Sequence, residues 1–177
     1  MLCKIRFADN KAFTLIELLV VVTIIGILAA VGVVAYNGYT GAAKKSATKS
    51  QHKTIVKFMQ TEITKCSLNG EIILKKLSGG NVIDQPDICP KVNNITSGNN
   101  SYSVISAFDY HFKAIGLKNI YKPQYNATSV CTVSGTAVYH NHGEGGGTCI
   151  YRRVNDEIIV GTNIAPYDTI IVKFKVN

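Results

Sequence analysis

Residues 12–35 read Ala-Phe-Thr-Leu-Ile-Glu-Leu-Leu-Val-Val-Val-Thr-Ile-Ile-Gly-Ile-Leu-Ala-Ala-Val-Gly-Val-Val-Ala. From Phe13 to Ala35 there are 23 residues and a single charge, Glu17. As a helix rising about 1.5 Å per residue, the segment spans roughly 34 Å, enough to cross the hydrocarbon core of a bilayer. A carboxylate in such a segment costs on the order of 2.5–3.5 kcal/mol at mid-membrane and less near the interface, so Glu17 needs a cationic partner. No Lys or Arg lies between Phe13 and Tyr36. Cleavage of the Ala12–Phe13 bond would create an α-amino group four residues before Glu17. In a stack of such helices this amine can meet Glu17 of a neighbour. The alternative is an uncleaved signal anchor with one tolerated interfacial acid.

Lys11-Ala12-Phe13-Thr14-Leu15-Ile16-Glu17, running on through Gly26, resembles the class III signal of type IV pilins and pseudopilins. The resemblance implies a prepilin that sits in a bacterial inner membrane, N-terminus cytoplasmic and head periplasmic, and ends in an extracellular pilus. It implies cleavage after Ala12 by a prepilin peptidase, an N-methylated Phe13, and polymerisation through the N-terminal helix with Glu17 setting register. Gly26 falls on a helix-weakening glycine of that family. The family's usual Gly before the cut is Ala12 here, and a helix-kinking Pro common in it is Val34. The implied partners are other pilin subunits, the peptidase, the assembly machinery and the inner membrane. No cofactor is implied.

Length and charge agree with one anchor helix and one modest domain. The 177-residue chain is +8; residues 1–12 hold Lys4, Arg6 and Lys11 against Asp9, so 16 basic and 10 acidic residues remain without them, net +6. The positive leader favours a cytoplasmic N-terminus, with the rest of the chain outside. It lacks the short apolar core and small-residue cleavage site of a secretory signal peptide. The basic surplus serves solubility, or attracts anionic partners such as DNA or surfaces.

Cys3 lies in the leader. The remaining Cys66, Cys89, Cys131 and Cys149 form an even set, which favours two disulfides in an oxidising compartment. Three connectivities exist; Cys66–Cys89 and Cys131–Cys149 close the shortest loops. A zinc site is the rival, but no closely spaced Cys pair supports it.

The chain thus divides into 1–12, a cleaved leader; 13–35, a transmembrane or filament-core helix; 36–68, its amphipathic continuation; and 69–177, a globular α+β head. Two glycines in residues 36–41 weaken the helix there. From Ala42 onward, Ile55, Phe58, Met59, Glu62, Ile63 and Cys66 share one helical face, and Lys45, Lys49, Lys53 and Lys57 share another. Residues 70–100 read as a long connection with little regular structure. Ser101 to Gly116 reads as a second helix, with Ser101 as N-cap, Gly116 as C-cap, and Val104, Ile105, Phe108, Phe112 and Ile115 on one face. Strands are expected over 130–133, 136–140, 148–154, 157–160 and 169–176, with a turn at Asn155-Asp156. Over the last strand, Ile170, Val172, Phe174 and Val176 alternate with Ile171, Lys173 and Lys175. Helices first and strands after predict an antiparallel β-sheet packed on the long N-terminal hydrophobic α-helix, a pilin-like α+β layout.

No catalytic set emerges, and an enzyme is not expected. His140-Asn141-His142-Gly143-Glu144 is the nearest to one, but loop ligands at this spacing suit a hairpin better than a metal, and no metal is expected. The lysine row, and Arg152-Arg153 beside Tyr151, are the candidate polyanion contacts, with a solvated face as the plain alternative. The function expected is a structural subunit of a type IV pilus filament. One alternative is a minor pilin whose basic head takes up DNA or grips surfaces; a type II secretion pseudopilin is the other. The four cysteines favour a pilin over the major pseudopilin.

Overall fold

A computed structural model describes residues 13–68, 70–95, 98–131, 133–134, 137–138, 145–152, 157–165 and 168–176. The leader, Ala12, the turn at Asn155-Asp156, Arg153 and the segment His140–Glu144 lie outside the described residues, as does the side chain of Arg152. The chain divides into two compact units, Met1–Ala42 and Ala43–Asn177.

Helix α1 runs from Leu15 to Ser67 without a break, Gly38 and Gly41 included. Its first part is apolar all round, with a mean hydropathy of 3.0 over an 18-residue window. In the second unit the helix becomes one-sided: Ile55, Met59, Ile63 and Cys66 are buried, while Lys49, Lys53 and Lys57 face solvent. The expected stripe is therefore present, widened by Thr48, His52 and Val56. The helix ends where Leu68 N–H (3.0 Å) and Gly70 N–H (2.9 Å) both bond the Lys65 carbonyl. A Cβ at Gly70 would stand 3.0 Å from that oxygen, so the turn favours glycine.

Residues 70–100 hold more regular structure than their composition predicts. Strands β1 (Lys75–Ser78) and β2 (Asn81–Asp84) form an antiparallel hairpin, with Ser78 opposite Asn81. Gly79 and Gly80, at φ 56° and 83°, make the two-residue turn that right-twisted strands require. The short helix α2 spans Cys89–Val92. Asp87 orders the approach to it: one carboxylate oxygen accepts from Ile72 N–H (2.9 Å) and Cys89 N–H (3.1 Å).

Helix α3 spans Gly98–Ala114. Ser101 is thus inside the helix and buried, rather than its N-cap. Gly116 does close the helix, at φ 76°: Leu117 N–H bonds Phe112 O and Gly116 N–H bonds Lys113 O, the paired bonds of a Schellman motif. Val104, Ile105, Phe108 and Phe112 are buried as expected; Ile115 lies past the helix end and is exposed.

The remaining strands are β3 (Thr128–Val130), β4 (Val133–Ser134), β5 (Ala137–Val138), β6 (Thr148–Arg152), β7 (Glu157–Ala165) and β8 (Asp168–Lys175). The main sheet has the order β3-β6-β7-β8, antiparallel across β6, β7 and β8, with β3 parallel to β6. β4 and β5 form a separate antiparallel pair. Ile150, Ile158 and Val160 enter one core with Ile55, Met59 and Ile63 of α1 and Val104, Phe108 and Phe112 of α3. The layout is α+β, with the long helix leading into a head whose sheet packs on helices.

Candidate functional site

The first unit offers an uncovered apolar surface. Phe13 is 80% exposed, and Leu15, Ile16, Leu18, Val22, Ile25, Leu28, Val31 and Val34 are all exposed with it. The 18-residue window of highest hydropathy has none of its residues buried. A surface of this size is costly in water and suits burial in lipid or against other protein.

Glu17 is the one charge set into it. Among the described residues no cation stands beside it, but its carboxylate is not bare. Glu17 Oε2 accepts from the Thr14 N–H at 2.8 Å and from the Thr14 hydroxyl at 2.7 Å. Glu17 N–H in turn bonds Thr14 Oγ1 at 3.3 Å. Because α1 begins at Leu15, Thr14 is the N-cap and Glu17 the third helical residue. Thr14-Leu15-Ile16-Glu17 is therefore a capping box, in which side chain and backbone satisfy each other's free donors. The sequence carried this signal in its Thr-x-x-Glu spacing, and the role of Thr14 was missed. The positive end of the helix dipole also favours a carboxylate here. Thr14 N–H belongs to the Phe13–Thr14 peptide, so a cut before Phe13 leaves every bond of the box in place.

In the second unit, Cys66 is bonded to Cys89 (Cα–Cα 5.2 Å) and Cys131 to Cys149 (Cα–Cα 5.5 Å). The first ties the end of α1 to α2; the second lies with Tyr151 and Ile159 on the sheet face away from the main core. Of the lysine row, Lys45 is paired with Asp168 at 3.2 Å, while Lys49, Lys53 and Lys57 are exposed along α1. Among the described residues no group of three or more His, Cys, Asp or Glu side chains is placed to hold a metal.

Two histidines that the sequence reading passed over are structural. His52, 2% exposed, reaches Thr162 Oγ1 with Nδ1 at 2.7 Å, and Thr162 meets Thr148 Oγ1 at 2.7 Å. Burial holds the His52 pKa below the ordinary histidine value. His111 stacks on Phe58 with centroids 4.8 Å apart, and its Nδ1 accepts the Lys75 N–H at 3.0 Å. Its pKa is also lowered, chiefly by desolvation.

A family profile described as the prokaryotic N-terminal methylation motif matches residues 8–33. Type IV major fimbrial proteins FimA of Dichelobacter nodosus are 43% identical to the chain over 62 residues, 35% of this chain and 36–37% of theirs. The chain thus spans just over a third of the length of the curated relatives it matches. No solved structure gives a significant match. The chain thus carries the N-terminal methylation motif, is similar to type IV major fimbrial proteins over 62 residues, and has a long apolar helix running into an α+β head.

Proposed function

We propose that the chain is a structural subunit of a type IV pilus, held in the inner membrane by α1 until it polymerises with other copies. A prepilin peptidase cuts between Ala12 and Phe13, and the new amine of Phe13 is methylated. Residues 13–35 then pass from bilayer to filament core, 36–68 continue the helix, and 69–177 form the head. The observation that carries this reading is the fully exposed apolar run of α1 with Glu17 as its single charge. In an apolar filament core a carboxylate and an amine compensate desolvation only at close range, so a subunit out of register leaves both charges unpaired. The pair therefore acts on the specificity of assembly rather than on the folding of the head.

Mass spectrometry of the protein extracted from membranes and from sheared filaments tests this. The expected mature chain starts at Phe13 and carries one added methyl group. Ala12→Gly should be processed at least as well, and Ala12→Leu should accumulate precursor. A mature N-terminus at any other residue would remove the basis of the reading.

A further inference from the structure

A groove of about 430 Å³ opens on the head between α3, the β1–β2 hairpin and the segment leading into α2. This is within the usual size of a ligand site. One wall is a stripe of α3: Tyr102, Ser106 and Tyr110, each four residues from the next. From the first tyrosine to the second is about 12 Å along the helix axis. Both rings are exposed, Tyr102 at 63% and Tyr110 at 52%. Between them Ser106 is only 9% exposed, and its hydroxyl has no hydrogen-bond partner among the described residues. That oxygen is shielded from solvent, so Ser106 forms the floor of the groove between the two rings. The facing wall holds Lys76 and Lys91, neither in an ion pair among the described residues. The groove is fixed in shape by Gln85, whose amide bonds the carbonyls of Lys75 (2.7 Å) and Ala107 (2.9 Å) and so ties hairpin to helix.

The geometry points to a binding site for a short acidic oligosaccharide. Tyrosine rings are flat apolar platforms with a polar edge, suited to the C–H face of a pyranose. The spacing of the two rings fits linked sugars rather than one. The lysines and the tyrosine hydroxyls provide donors, while the Asp87 carboxylate on the same lining provides an acceptor. Sugar hydroxyls use both kinds. The backbone of a DNA strand has only acceptors, so Asp87 disfavours it, whereas a glycan presents hydroxyl donors along its whole length and fits better than single-stranded DNA. One Asp87 oxygen is already committed to Ile72 and Cys89 N–H groups, and two lysines outnumber one aspartate. The surplus favours a sugar bearing a carboxylate. The site stands apart from α1 assembly and does not depend on it.

The test uses the full chain in a detergent without sugar headgroups. It is titrated with a uronic acid oligosaccharide, a neutral glucan of equal length and an oligo(dT) of matching length, by calorimetry and tyrosine fluorescence. Saturable binding of the acidic glycan is expected, weakened about tenfold by Tyr102→Ala, the loss of one well-packed ring. Lys91→Glu should abolish the preference for acidic over neutral glycan. Both side chains are exposed, and circular dichroism of each variant should match the parent. No glycan binding, binding that both variants retain, equal binding of the neutral glucan, or oligo(dT) binding lost in the same variants would each overturn the assignment.

Discussion

Thr14 and Glu17 bond each other in both directions: the Glu17 carboxylate takes the Thr14 N–H and hydroxyl, and Thr14 Oγ1 takes the Glu17 N–H. Among the described residues, then, the acid in the apolar segment is met by hydrogen bonds but by no opposite charge. In the proposed filament, assembly supplies the charge. Glu17→Ala and Glu17→Gln should insert and be processed, yet enter filaments poorly as sole subunit. Glu17→Asp should retain part of the yield. Normal filament yield from Glu17→Ala would leave Glu17 a tolerated interfacial acid.

The capping box itself makes a separable prediction. Thr14→Val removes the cap at a cost of about 1 kcal/mol to the first helical turn. In micelles, amide exchange at residues 15–17 should speed up while the head is unaffected. Unchanged exchange there would mean that the bonds at Thr14 do not hold the helix end.

Each disulfide should matter to a different part of the head. Closing loops of 23 and 18 residues stabilises by roughly 3 kcal/mol each in the chain-entropy model. Cys66→Ser/Cys89→Ser should free α2 and the hairpin, and Cys131→Ser/Cys149→Ser should loosen the sheet at β3 and β6. Peptide mapping under non-reducing conditions checks the pairing, and a Cys66–Cys131 peptide would contradict it.

Acid should weaken the head through two histidines, His52, which is buried, and His111, which is half-buried. The pKa values of His52 and His111 are lowered in the folded state by desolvation. As pH falls through about 6.5, the unfolded chain takes up protons first. Stability is therefore full above that value and declines as pH drops toward the lower folded pKa values. Protonating His111 Nδ1 would also break its bond from Lys75 N–H, one of the ties between the hairpin and α3. Urea unfolding midpoints should fall between about pH 7.5 and about pH 5.5. The decline should shrink in His111→Phe.

Gly146 should not tolerate a side chain. Its φ is 78°, and a Cβ there would overlap Asn119 Oδ1 and stand 2.8 Å from Tyr121 Cδ2. That Asn119 oxygen accepts from the N–H groups of Tyr121 (2.8 Å) and Lys122 (3.0 Å), so it cannot move without releasing its own loop. Gly146→Ala should cost about 2 kcal/mol or more. Thermal unfolding against the parent measures it.

Periodicity carried most of the fold. The apolar stripe of α1, the buried face of α3 and the alternation over β8 all follow from side-chain spacing, because each element has one wet and one dry side. Periodicity could not reveal what depends on distant partners. The β1–β2 hairpin has Leu77, Val82 and Ile83 exposed, so no buried face marked it, although Gly79-Gly80 was a turn signal in plain view. The parallel placement of β3 beside β6 is a long-range pairing with no local signature. His52 looked like one more polar residue in a lysine-rich helix; its burial depends on Thr162, far along the chain. At the candidate site, the motif points to Phe13 and Glu17, and both lie on the exposed apolar N-terminal segment. Thr14 is legible from its spacing to Glu17, but as a member of the signal motif it carried no capping role of its own.

The tie at Asn119 bears on how the protein can evolve. Asn119 Nδ2 bonds the Gly145 carbonyl, and Gly146 and Gly147 bond the backbone of Asn163 in β7. With Cys131 held to Cys149, the two ends of the intervening stretch are anchored by groups outside it. Loss of the Asn119 side chain would therefore free the Gly145 carbonyl and the Tyr121–Lys122 turn together. Selection can alter this position only at the expense of both segments.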